Sequence, residues 1–223
     1  MIEPGLAKIT GHVKIYDPAS GEIFYNDHNA IHYENISVAM AQSLSDRNLG
    51  YIYQMAFGNG GSSVDPTGVI TYLPPNITGI NADLYNQTYA KVVDDNSAAD
   101  TDPSNNKMTV LHTSGTVYTD ILVTCLLDYG EPPQQQAFDN STNFNGEYVF
   151  DELGLLANYG TDSNGQTITR LLTHVIFHPV QKSLNRQIQI DYTVRIQSLT
   201  NLVTMFWLWS GVGHMFRNWR MNG

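Results

Sequence analysis

The chain has 223 residues, 42% of them hydrophobic, and 21 acidic against 11 basic residues give it a formal charge of −10. That hydrophobic content excludes global disorder, and a chain of this length buries roughly 70% of the surface that its unfolded form exposes. The single cysteine, Cys125, excludes an internal disulfide framework and a Cys-based structural zinc site, while the longest apolar run, Met205-Phe206-Trp207-Leu208-Trp209, is far shorter than the ~20 residues of a membrane helix.

In chain order, residues 12–16 and 22–25 flank Asp17-Pro18-Ala19-Ser20-Gly21. Proline presets φ for a turn and glycine tolerates positive φ, so a hairpin is predicted here. One helix follows. Asn35 is placed at its cap, and Ile36, Ala39, Met40 and Leu44 recur at helical spacing through about residue 48. A single apolar stripe predicts packing on one face only. Residues 51–57 read as a buried strand that ends in Gly58-Asn59-Gly60-Gly61.

The stretch 58–106 is rich in Gly, Pro, Asn and Asp, and 94–106 carries four acids and no base. We read it as an elaborated surface insertion with short extended pieces at 69–73 and 84–93. Further on, 117–127, 147–157 and 167–178 are strand candidates, the last following the turn Asp162-Ser163-Asn164-Gly165. The strongest strand is 186–197. Ile188, Ile190, Tyr192, Val194 and Ile196 alternate with Gln187, Gln189, Asp191, Thr193 and Arg195, the pattern of a half-buried antiparallel strand. The fold class expected is mainly β: an antiparallel β-sandwich with one helix, long surface loops and an aromatic C-terminal arm. Residues 1–200 form one β-sandwich domain with an insertion at about 58–106, and 201–223 form a C-terminal aromatic and basic segment.

No constellation for chemistry emerges, so no catalytic, cofactor-binding or metal-ligating residue is assigned, and the chain is expected to be no enzyme and to need no cofactor. His28 with His32 and His174 with His178 have i,i+4 spacing. In a strand that spacing separates the Cα atoms by roughly 13 Å, too far for one ion. Gly58-Asn59-Gly60-Gly61 fits neither the dinucleotide nor the P-loop fingerprint, so a turn or a close backbone approach is expected there. Carboxylates are plentiful, which leaves a hydrolase pair open, but no pair is singled out by its surroundings. The four Asn-x-Ser/Thr sequons, at Asn35, Asn76, Asn86 and Asn140, matter only after secretion, and Met1-Ile2-Glu3-Pro4-Gly5 shows no leader pattern. An acidic chain without a Lys/Arg run is not expected to bind nucleic acid directly, and no membrane span is expected.

The clues concern assembly. Residues 1–169 carry 20 acids and five bases, whereas 170–223 carry six bases against Asp191 alone. Either the fold mixes these charges, or a basic C-terminal surface docks on an acidic neighbour. All three tryptophans lie after residue 200. Trp207, Trp209, Phe216, Arg217, Trp219 and Arg220 are the candidate interaction residues, because such types are enriched at interface hot spots. The alternative for this segment is a last layer of the chain's own core.

Three stretches carry a family resemblance: Asn26-Asp27-His28-Asn29-Ala30-Ile31-His32-Tyr33-Glu34-Asn35, Phe57-Gly58-Asn59-Gly60-Gly61, and His174-Val175-Ile176-Phe177-His178-Pro179-Val180-Gln181-Lys182-Ser183 with the strand that follows. Their texture resembles virion structural proteins of tailed bacteriophages, in particular neck, tail or baseplate components of contractile-tailed phages. The resemblance implies a non-enzymatic structural protein made in the host cytoplasm, located in the virion, and assembled with copies of itself and other virion proteins into a symmetric oligomer. The alternative on the same scaffold is a glycan- or receptor-binding module, with Tyr72, Tyr85 and Tyr89 as aromatic platforms.

Overall fold

The computed structural model describes residues 6–133 and 147–199. The chain is mainly β. In order its elements are β1 (Leu6–Tyr16), β2 (Ile23–Ile31), α1 (Tyr33–Leu44), β3 (Ile52–Gly58), β4 (Ser62–Val64), β5 (Ile70–Tyr72), β6 (Gln87–Val92), β7 (Lys107–Leu111), β8 (Tyr118–Leu127), β9 (Glu147–Thr161), β10 (Thr167–Leu171), β11 (Thr173–Ser183) and β12 (Ile188–Leu199). The main sheet is antiparallel, in the order β6-β3-β9-β11-β2-β1-β12-β8-β7, with β10 also on β9 and β4–β5 as a separate hairpin.

The sheet has two wings. One is β7-β8-β12-β1-β2 and the other is β6, β3, β9, β10 and β11. Among the described residues two ladder pairs join them, Thr173 with Ile31 and His174 with Ala30, next to a bond from His32 N to the Leu172 carbonyl. A joint this short lets the twisted sheet curl into a half-barrel. Its far strands then meet: Lys91 Nζ on β6 donates to the Leu126 carbonyl on β8 at 2.7 Å.

The core lies between the wings. β12 sits in the middle of its wing, paired with β1 and β8 over most of its length. As expected from its alternation, Ile188, Ile190, Tyr192 and Val194 are buried, whereas Ile196, on the same face, is only half-buried. The four buried side chains join Val13 and Ile15 of β1 and Val123, Cys125 and Leu127 of β8 in one apolar cluster. The opposite wing contributes Met55, Phe57, Phe150, Leu153, Leu155 and Phe177. A run of ring contacts, Tyr25–Phe177 at 5.4 Å, Phe177–Phe150 at 5.6 Å and Phe150–Phe57 at 5.7 Å, crosses from one wing to the other. Each fully buried aromatic or aliphatic side chain stabilises by about 1.5–3 kcal/mol.

The helix starts earlier than its spacing predicted. His32, not Asn35, is the cap: its Nδ1 accepts from Asn35 N at 3.2 Å. Its other nitrogen, Nε2, therefore carries the proton and donates to the Gly79 carbonyl at 3.0 Å. Asn35 is buried inside the helix and its amide donates to Leu171 O at 2.8 Å. Ile36 and Ala39 pack inward, whereas Leu44 at the end of the stripe is 85% exposed.

Residues 58–106 contain two kinds of structure. The β4–β5 hairpin is a sheet of its own, tied to the main sheet by side chains, while β6 pairs with β3 as an edge strand. Of the acidic stretch that follows, Asp94 and Asn106 are buried, and the Asn106 side chain accepts from Leu126 N at 3.1 Å. That bond ties the far end of the loop to β8.

Candidate functional site

The densest polar arrangement in the described residues is built on β9. Inward residues of a strand alternate. Along β9 the inward set changes parity, because Phe150 and Leu153 are both in the core. The change falls at Asp151 and Glu152, where the β9–β11 register shifts between Ile176 and Val180. Pro179 lies in the looped-out stretch of β11, as expected for a residue that cannot donate to a ladder. The bulge leaves two adjacent carboxylates buried at the sheet surface.

Glu152 is fully enclosed and takes four donors. Oε1 accepts from Gly60 N at 3.0 Å and Asn86 N at 2.8 Å. Oε2 accepts from Tyr85 N at 2.9 Å and His174 Nε2 at 3.0 Å. His174 Nδ1 accepts from Asn76 N at 2.8 Å, which puts the ring proton on Nε2, facing Glu152. Asp151 takes Gly61 N at 2.9 Å and Ser62 N at 2.8 Å, together with the Ser62 hydroxyl. Burial pushes the Glu152 carboxyl up, but the bonds from His174, Asn86, Tyr85 and Gly60 outweigh it and hold the group below its ordinary range. At Asp151 burial prevails over the bonds from Ser62 and Gly61, and the carboxyl is raised.

The glycines of this loop are there for close approach. A Cβ on Gly58 would stand 2.5 Å from the Asn86 carbonyl and 2.6 Å from Glu152 Oε1. One on Gly60 would stand 2.7 Å from Asn86 N. The arrangement fastens two loops, 58–62 and 74–86, to the sheet. Its oxygens are occupied by main-chain and ring donors and the Ser62 hydroxyl, so what it does chemically is hold backbone in place.

The histidine pairs are split by the fold. His174 is buried in this cluster, whereas His178 is exposed and bonded through Nδ1 to the Tyr72 hydroxyl at 3.0 Å. His32 caps the helix, whereas His28 lies on β2 with Nδ1 bonded to Gly11 O at 3.0 Å. Among the described residues no group of three His, Cys, Asp or Glu side chains is placed to hold a metal ion. The loop tyrosines also separate: Tyr89 packs against the core, and Tyr72 and Tyr85 remain exposed. Asp151 and Glu152 are not legible as a site from the sequence pattern. Their signal was two acids inside the apolar run Val149-Phe150-Asp151-Glu152-Leu153-Gly154-Leu155-Leu156.

The basic residues of 170–199 are used within the chain. Arg195 makes a two-pronged bond to Asp120 at 2.7 and 2.8 Å and lies over the Tyr118 ring. Arg186 bonds Glu22 at 2.7 Å and Asp17 at 3.4 Å. Arg170 donates to Asn81 and to the Ile80 carbonyl. Lys182 is buried and donates to Asp128 O at 3.0 Å and Ser183 O at 2.8 Å. Desolvation pushes its amine down to about 8, against the partial offset of Glu131 and Asp128. Of the six bases in 170–223, these four mix with the rest of the fold, which leaves Arg217 and Arg220.

One concavity among the described residues is lined mostly by apolar side chains. A cavity of about 470 Å3 opens between the wings, walled by Ile36, Met40, Ile121, Leu155, Val194 and Ile196. Leu44 and Val110 stand at its edge, 85% and 69% exposed. Asp95 and Asn96 add polar groups.

The predicted interaction residues Trp207, Trp209, Phe216, Arg217, Trp219 and Arg220 lie outside the described residues. No helix among the described residues is long and apolar enough to cross a membrane. No protein-family model, curated protein or solved structure matches the chain.

Proposed function

We propose that this chain is a non-enzymatic structural protein of a phage particle, assembling head to tail into a symmetric oligomer of the neck, tail or baseplate. The observation that carries the proposal is the partition of charge. Residues 1–199 hold 21 acids and nine bases, and the bases of 170–199 are already engaged within the fold. Residues 200–223 hold Arg217 and Arg220, no acid, and all three tryptophans. A basic aromatic segment and an acidic body are complementary to each other but not to themselves. Such a contact is heterologous, and it closes into a ring when the rotation permits. The buried Asp151–Glu152–His174 cluster supports the non-enzymatic part, because its acceptors are spent on loop backbone. The virion setting rests on the resemblance of the three stretches named above.

Light scattering of the purified chain, together with electron microscopy of the resulting particles, tests the proposal. Discrete oligomers with rotational symmetry are expected. A strictly monomeric protein over the whole concentration range would count against it.

A further inference from the structure

We infer that the apolar cavity between the wings is the seat of residues 202–209 from a neighbouring copy; the inference rests on the assembly proposed above and names the surface that receives the arm. The cavity is about 470 Å3, within the range of built binding sites, and its wall is mostly aliphatic. Leu44 and Val110 leave its apolar edge in solvent, an arrangement that marks a surface meant to be covered.

The chain itself points to the occupant. Val194 and Ile196 of β12 are part of the wall, and the described residues of the strand run on to Leu199. Three residues of strand span roughly 10 Å, so the chain leaves the cavity travelling away from it. The next apolar stretch is Leu202-Val203-Thr204-Met205-Phe206-Trp207-Leu208-Trp209. In the head-to-tail contact proposed above, this stretch seats on a neighbour and not on its own body. Asp95 at the cavity meets no like charge from 202–209, which holds no acid, and Arg217 and Arg220 follow further along the same acid-free segment. Large rigid aromatics in an apolar pocket give an interface its anchor, and charges at the rim give it register.

All three tryptophans lie beyond residue 200, so tryptophan emission reports the arm alone. The full chain is measured by emission and light scattering across a dilution series. Assembled protein is expected to emit in the blue, and dilution is expected to dissociate it and shift emission to the red. The double variant Leu44→Arg/Val110→Arg, which changes only exposed edge residues, is expected to emit in the red and to remain monomeric at concentrations where the unmodified chain assembles. Leu44→Arg alone is the second variant should the double one melt early. Mixing the edge variant, which has an intact arm, with a Trp207→Ala/Trp209→Ala variant, which has an intact cavity, is expected to restore a two-subunit species. Edge variants that assemble and emit like the unmodified chain would overturn the cavity as the seat and leave the assembly proposal standing. A monomer whose blue emission is independent of dilution would place the arm in its own cavity and overturn both. A monomer that emits in the red would likewise overturn both.

Discussion

Glu152 shows how one side chain organises two loops. Four donors converge on it in a site closed to solvent, so its charge is compensated entirely by the protein. Glu152→Gln keeps the shape but turns one acceptor into a donor, which then faces N–H groups. With each buried unsatisfied donor costing about 1–3 kcal/mol, a loss of about 2–6 kcal/mol is expected in urea unfolding at neutral pH. Because the folded carboxyl lies below its ordinary 4.5, this stability is fully present above that value. It is lost as pH falls through the folded value, so the gap between the two proteins should close on acidification. Asp151 acts in the opposite sense, since its raised carboxyl binds a proton more readily in the folded state. Lys182 sets an alkaline window. Its amine is pushed down to about 8 from 10.5, so the unfolded chain binds the extra proton between those values. Stability contributed by this group should rise with pH across that window, and Lys182→Met should abolish that part of the slope in unfolding measured from pH 7 to 10.5.

At the level of elements, β12 holds one wing together and β9 the other. Ile190 is fully buried between β1 and β8 neighbours. Ile190→Asp places an unpaired charge in the core, and a destabilisation above about 4 kcal/mol is expected by thermal or urea unfolding. An unchanged melting temperature would show that this face is not the buried one. The helix depends on His32, which caps the main chain with one ring nitrogen and binds Gly79 with the other. His32→Ala should cost about 2 kcal/mol, near the upper end for caps, since a second bond is lost with the first.

For the whole molecule, the decisive question is whether the body stands without the arm. The described residues form a core to which both wings contribute fully buried side chains. Truncation after Thr200 is therefore expected to leave a cooperatively folded monomer, checked by thermal unfolding and light scattering. Loss of folding would make the segment a layer of its own core. Normal assembly of the truncated chain would remove the arm from the interface. If the chain assembles as proposed, added salt is expected to slow association more than it weakens the oligomer, because charge would steer encounter while burial of aromatics would supply the affinity. Stopped-flow mixing at two ionic strengths checks this.

The sequence by itself determined the mainly β, antiparallel character and the face of β12. Strict alternation over ten residues admits one inward set, and a one-residue slip would expose all of it. It also narrowed Gly58-Asn59-Gly60-Gly61 to a turn or a close backbone approach, because the stretch fits no ligand fingerprint; the Asn86 and Glu152 atoms packed against Gly58 and Gly60 then decided for close approach. The tertiary structure decided what depends on partners far apart in the chain. His32 became the cap because Gly79 receives its other nitrogen, across 47 positions. Asp151 and Glu152 became a loop anchor because a bulge in β11 shifts their parity, and no pattern within 148–157 encodes a bulge in another strand. The basic residues of 170–199 looked like a candidate docking surface until Asp17, Glu22 and Asp120 were brought beside them. Local spacing fixes which way a side chain points on its own strand, but which partner it meets is set by how distant strands are ordered and curled.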